Sequence, residues 1–349
     1  MKTKPNYKLV VIVSLAALAT LIFFSFSRAS IASAQQSKPV VVISPGHGIL
    51  GDDGVTIDPG AVYNGLIEKD INLEVAKYAE GFLKRCPVDV YLTREGDDDQ
   101  HTLIQIAQIV QSYNPTVAVA IHANSGSQSG TEGWYTEGGY DDANSLLLAK
   151  ALAESVSAQV GINDLGTIPD SRSRFGKLYI RDWKVPSAII ELAYLQKDYE
   201  LLENNQEDFG RAVARAILEY LNISPLCADN AVAQGVFAAT YFPADKGNNT
   251  IKILNDGVIP WRQREYALKS IGDSRGAESS YPIPGDITAG EIAKWQIPIT
   301  APITPGVYRQ IWQIQRGEEK VGSEVTVYMV VVPQQAKDLK EKIDNFTFR

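Results

Sequence analysis

Histidine and cysteine are scarce in this chain. Of 349 residues, three are histidine and two are cysteine. Any imidazole-based site must therefore draw on His47, His101 and His122, and the two thiols allow one intramolecular pairing. Basic charge is also short, with 33 Lys and Arg against 41 Asp and Glu and a formal net charge of −8. Four of the basic groups and no acidic ones fall in the first 34 residues, so the remainder carries −12. That balance excludes a nucleic-acid binder working through basic patches that neutralise phosphate. No internal repeat or low-complexity tract is present, which leaves out repeat arrays.

What is there is ordinary globular material. Hydrophobic residues make up 45% and charged residues 21%, enough to bury a sizeable core, and the length predicts two domains. At the start, Lys2, Lys4 and Lys8 precede an uncharged apolar run over 9–26, followed by the small-x-small site Ala32-Ser33-Ala34. Residues 1–34 thus have the layout of an export signal, cleaved or retained as an N-terminal membrane anchor. Either way the rest of the chain is expected outside the cytoplasm, in the envelope or beyond it.

Residues 38–221 alternate between apolar strands and amphipathic helices. Strands are predicted over 39–43, 89–93, 117–121 and 188–192. Helices are predicted over 68–85, 102–112, 146–160 and 209–221, the first from the stripe Ile71, Val75, Tyr78, Ala79 and Phe82. Such alternation implies crossover connections: an α/β fold with a largely parallel twisted sheet flanked by helices. Residues 222–231 read as a polar, Pro-containing linker. Beyond it the period changes to two, most clearly over 292–299, where Trp295, Ile297 and Ile299 alternate with polar residues. Residues 232–333 therefore read as an all-β sandwich able to fold independently, followed by a polar tail, 334–349.

The chemistry gathers at strand ends. Val40 to Ile43 run into Ser44-Pro45-Gly46-His47, and Val117 to Ile121 run into His122. In open α/β sheets the carboxyl ends of strands form the binding crevice, so both imidazoles can reach one place. A catalytic zinc takes three protein ligands and keeps one position open. Glu68, in the first turn of the helix that follows the first strand's loop, faces the same crevice. Glu191 is an acid inside the apolar strand Ile189-Ile190-Glu191-Leu192, where it needs a partner or a task. Each alone has a plain alternative: a loop histidine, a helix-dipole acid, a buried ion-pair partner. His101, after Asp97-Asp98-Asp99, reads as a polar loop residue.

Taken in order, Pro45-Gly46-His47-Gly48, Asp58-Pro59-Gly60-Ala61, Glu68-Lys69-Asp70, Leu92-Thr93-Arg94 and Ile121-His122-Ala123-Asn124, then the strand ending at Glu191, resemble the zinc-dependent N-acetylmuramoyl-L-alanine amidases. The resemblance covers about residues 39–221. It implies zinc held by His47, Glu68 and His122, and Glu191 as the catalytic carboxylate. It also implies peptidoglycan as partner, with hydrolysis of the amide between the muramic acid lactyl group and L-alanine. The rival readings are a zinc peptidase acting on another peptidoglycan amide and a non-catalytic wall-binding scaffold. Three departures stand out: Ser44 where the family usually has Asp, Ile106 where it has an arginine, and Ala193 to Lys197 in place of its usual run after the catalytic Glu.

The second half resembles a tryptophan-rich immunoglobulin-like domain through Asn255-Asp256-Gly257, Trp261, Gly290-Glu291 and Pro305-Gly306-Val307-Tyr308. That implies a sandwich whose tryptophans, Trp261, Trp295 and Trp312, are mostly core, and an interaction role with an unspecified partner. A disulfide between Cys86 and Cys227 is expected. Both cysteines follow helices that cross back from the crevice, so both lie at the pole away from it, and an exported chain meets oxidising conditions.

Overall fold

A computed structural model describes residues 37–50, 55–173 and 178–336. The expected signal or anchor (1–34) and nearly all of the tail lie outside the described residues. Within them, no helix is long and apolar enough to cross a membrane.

The first half is built on a six-stranded sheet. Its elements are β1 (Val40–Pro45), the hairpin β2 (Val62–Tyr63) and β3 (Leu66–Ile67), α1 (Glu68–Leu83), β4 (Asp89–Leu92), α2 (Leu103–Ser112), β5 (Val117–Asn124), β6 (Thr131–Tyr135), α3 (Asp142–Val160), β7 (Asp164–Pro169), β8 (Ser187–Tyr194), α4 (Tyr199–Asn204) and α5 (Gln206–Tyr220). Strand order is β4-β1-β5-β8-β6-β7. The first four run parallel. β6 is antiparallel to β8, and β7 is parallel to β6.

The sheet is therefore largely parallel as expected, but mixed, since one of its five pairings is antiparallel. Residues 125–130 are too few for a crossover helix, so the chain must return in the opposite sense. Two strands were also absent from the sequence reading. β6 (TEGWY) and β7 (DLGTIP) carry Glu, Gly and Pro in place of a β-branched run.

Period-two alternation sorts the sheet's side chains between two faces. Val41, Ile43, Val119, Ile121 and Ile190 pack with α1, α3 and α5 in one core. Val42, Ala118, Ala120 and Ile189 pack on the other face with Ile106 and Val110 of α2 and with Ile180 and Trp183 of the short 3-10 turn Tyr179–Trp183. The same alternation places Ser44, His122 and Glu191 on this second face, near the carboxyl ends of β1, β5 and β8. α2 opens on a capping box, with Thr102 accepting from the Gln105 amide and the Gln105 side chain accepting from the Thr102 amide.

The second half holds β9 (Ala231–Ala233), β10 (Phe237–Tyr241), β11 (Lys246–Asn255), β12 (Tyr266–Ser270), β13 (Ser280–Pro282), β14 (Ile292–Thr300), β15 (Gly306–Arg316) and β16 (Glu319–Val331). They form a three-stranded sheet, β14-β11-β9, and a five-stranded sheet, β10-β16-β15-β12-β13. Ile251, Trp295 and Ile297 of the first share one core with Leu268, Trp312 and Val327 of the second. Trp261, Trp295 and Trp312 are all buried.

Between the halves, the segment expected as a linker is pinned. Cys227 is joined to Cys86 by a disulfide, with Cα atoms 5.0 Å apart. Asp229 accepts from Trp261 Nε1 at 3.0 Å and Tyr266 Oη at 2.8 Å. Val258 belongs to the core of the first half. Arg211 of α5 is buried, lies over the Phe82 ring, pairs with Glu207 and Asp208, and donates to the Gly257 carbonyl at 2.6 Å. Arg85 donates to the Asp256 carbonyl at 2.6 Å and pairs with its carboxylate. Arg211→Ala removes charge-assisted hydrogen bonds and the packing of a buried stem, and is expected to cost about 2–3 kcal/mol. Equilibrium urea unfolding measures this, and a variant as stable as wild type would show the contact to be idle.

Candidate active site

His47 leaves β1 in the left-handed region, with φ of 61°. A non-glycine residue holds that conformation only where its surroundings compensate the strain. The Asp58 carboxylate accepts from its Nδ1–H at 2.7 Å, and the next loop packs against the ring. Gly60, with φ of 68°, has no room for a side chain, since a Cβ there would lie 2.6 Å from both Glu68 Oε2 and His47 Cδ2. Arg94, buried behind this loop, donates to the carbonyls of Pro45, Gly46 and Lys69 and fixes its path.

Glu68 opens α1 directly after the β2–β3 hairpin and is 5% exposed. Its Oε1 lies 3.1 Å from His47 Nε2 and 3.1 Å from His122 Nδ1. Backbone N–H groups of Ala61 and Ala123 donate to Oε2 and Oε1 at 2.9 and 3.2 Å. The two imidazoles meet edge to face with centroids 4.9 Å apart. Donor atoms of His47, Glu68 and His122 all lie within 4.8 Å of one another. His101 stays outside this group, in the loop that precedes α2.

Charge is strongly redistributed here. Burial raises the Glu68 pKa, but hydrogen bonds and attraction from His122 and His47 outweigh it and hold the carboxyl well below its usual range. Burial works to lower His47, yet Glu68 and Asp58 together lift it to about 9. His122 is lowered, chiefly by burial, against the pull of Glu68.

Glu191 stands beside this group. In register it faces His122 on β5 and Glu132 on β6. Its Oε2 is buried and has no hydrogen-bond partner among the described residues. Burial first, then the charges of Glu68 and Glu132, push its pKa well above the usual carboxyl value. It lines a 400 Å³ cleft with Asn124, Gln128, Glu132, Trp134 and Arg172. A smaller cavity of 180 Å³ reaches His47 and His122 past Ile49, Leu103, Ile106 and Tyr179. Ile106, noted above as a departure, makes that wall apolar.

Sequence reasoning missed two groups at the site. Glu132 accepts from Asn124 Nδ2, Trp134 Nε1 and Tyr194 Oη at 3.3, 2.9 and 2.5 Å. A lone acid in the short run Thr131 to Tyr135 was its only signal. Tyr179 reaches His122 from 57 residues away, and no local pattern announces that contact.

A sequence profile of N-acetylmuramoyl-L-alanine amidases matches residues 41–222, just over half of the chain. The chain belongs to this amidase family. That makes it a hydrolase of the N-acetylmuramoyl-L-alanine amidase type. It is 30% identical over 191 residues to N-acetylmuramoyl-L-alanine amidase LytC of Bacillus subtilis, a stretch that is 52% of this chain and 36% of that protein. To the germination-specific N-acetylmuramoyl-L-alanine amidase of the same organism it is 25% identical over 208 residues, 53% of this chain and 80% of that one. Among solved structures, the catalytic domain of CwlV from Bacillus (Paenibacillus) polymyxa var. colistinus is similar over 53% of this chain and 99% of that one, at 30% identity and a TM-score of 0.45. The matched span contains all four candidate site residues and ends where the second half begins.

A buried carboxyl with a raised pKa has a stability signature. A folded-state pKa above the unfolded value means stability is lost as pH rises from the unfolded pKa to the folded one. For the metal-free protein, Glu191→Gln is expected to be more stable than wild type at pH 8, with the difference shrinking toward pH 4.5. Thermal unfolding across that range tests this, and a difference independent of pH would mean that Glu191 is not held protonated.

Proposed function

We propose that this chain is an exported, zinc-dependent amidase that cuts the amide between the lactyl group of muramic acid and the L-alanine of the peptidoglycan stem peptide. The observation that carries the reading is the convergence of His47 Nε2 and His122 Nδ1 on Glu68 Oε1, with Glu191 on the neighbouring strand, inside the span that matches the family.

Two nitrogens and one carboxylate oxygen are a donor set suited to catalytic zinc. They fit it here because they come from three separately anchored elements and already face one another. His47, Glu68 and His122 would hold the ion. The chemistry zinc supplies when bound is a water acidified toward pKa ~7 and a polarised scissile carbonyl. Glu191, its Oε2 uncommitted, takes the proton of the attacking water and returns one to the leaving amine of L-alanine. The cleft beside it, with amides and hydroxyls from Asn124 to Gln128 on one side and Trp134 and Leu178 on the other, holds the substrate flanking the cut bond.

Export is supported by the basic flank and apolar run at the N-terminus, and by a substrate that lies outside the cytoplasm. For the second half we read a tryptophan-rich immunoglobulin-like sandwich with an interaction role. Its two sheets with a shared core and buried tryptophans favour that reading.

Digestion of purified peptidoglycan, with mass spectrometry of the products, tests the function. New lactyl carboxyls paired with free L-alanine amines are expected. Chelation should abolish their appearance, and Glu191→Gln should lower the rate roughly 10²–10⁴-fold while leaving bound zinc unchanged. New termini within the stem peptide would make it a zinc peptidase, and no new termini would make it a wall-binding scaffold.

A further inference from the structure

The two candidate ligand histidines are held from behind in different ways. A histidine that binds a metal through one nitrogen needs its other N–H accepted, which fixes the tautomer and aims the lone pair. For His47 the acceptor is a carboxylate, Asp58 Oδ2, 2.7 Å from Nδ1. Among the described residues, no carboxylate is bonded to the far side of His122. Its Nδ1 faces Glu68, and its Nε2 lies 3.0 Å from the phenol oxygen of Tyr179.

We propose that Tyr179 is the positioning residue for His122, accepting its Nε2–H so that the Nδ1 lone pair is presented to the metal. The proposal rests on the zinc reading above and assigns a role that neither the sequence motifs nor the ligand group contains.

Three observations support it. Tyr179 lines one small cavity with His122 and Ser44, and Ser44 Oγ accepts from Thr93 Oγ1 at 2.9 Å. A phenol oxygen carries acceptor lone pairs and can take an imidazole N–H. The ring is fixed from two sides, packing edge-on against His122 at 6.0 Å and against buried Trp183 at 5.6 Å between centroids. Gly46 packs close against the His122 ring, where a Cβ would lie 2.3 Å from Cε1 and Nε2. Tyr179 puts a neutral hydroxyl in the position where Asp58 serves His47 with a charge.

Histidine ring ¹⁵N spectra of the full zinc-loaded chain give the test, because three histidines yield three ring systems. His122 is expected with Nε2 protonated, its proton slow to exchange, and Nδ1 shifted by the metal. In Tyr179→Phe that proton should exchange rapidly. Zinc affinity, measured by competition with a chromophoric chelator, should fall 10–100-fold. Zinc-loaded wild type with the proton on Nδ1 of His122 overturns the proposal whether or not the variant folds. So does a folded Tyr179→Phe protein that binds zinc within about twofold of wild type. A wild-type chain that takes up no zinc overturns the metal reading and this proposal together. Any of the first results alone leaves the metal reading standing.

Discussion

One buried carboxylate, Glu68, ties the catalytic half together. Its oxygens are shared between two imidazoles and two backbone amides, and these partners come from three separate parts of the chain. His47 ends β1, His122 lies near the end of β5, and Ala61 precedes the hairpin that launches α1. Taking a carboxylate out of water costs several kcal/mol unless it is fully compensated, so these segments are constrained to arrive at one point. The strained backbone of His47 is part of that arrangement. Its ring is caught between Asp58 and Glu68, and Arg94 holds the loop beneath it.

A second constraint lies one strand away. Antiparallel pairing of β6 with β8 sets Glu132 directly opposite Glu191, a juxtaposition of like groups that ordinarily destabilises a sheet. Glu132 is met by three donors, whereas Glu191 keeps an oxygen with none. The difference in partners gives two neighbouring acids different tasks, one fixed in the wall of the cleft and one left with an uncommitted oxygen. With Glu191 as the proposed catalytic carboxylate, the fold gives up stability in order to keep a reactive group available, a usual trade at catalytic sites.

Legibility in the sequence followed how local each signal was. The strands before His47 and His122 are continuous apolar runs, and Glu191 is conspicuous as an acid in such a run, so all three could be read directly. Glu68 could be placed because a helix after a strand's loop must start at the crevice. β6 and β7 were not legible, since Glu132, Gly133, Gly166 and Pro169 erase their periodicity and a six-residue connection, rather than any residue pattern, decides that they run backwards. Tyr179 and Arg211 were equally hidden. Their partners, His122 and Gly257, are distant in sequence, and neither residue stands out from its neighbours until the chain is folded.

The bond between Cys86 and Cys227 also changes what the polypeptide is under proteolysis. A protease that cut an exposed loop anywhere between these two positions would not divide the molecule, because the fragment carrying β1, α1 and two candidate ligands would stay covalently attached to the β-rich half. Only a cut outside that interval, or reduction of the bond, would release a piece. Most of the catalytic half thus lies within a closed covalent ring, a safeguard suited to the export proposed for this chain.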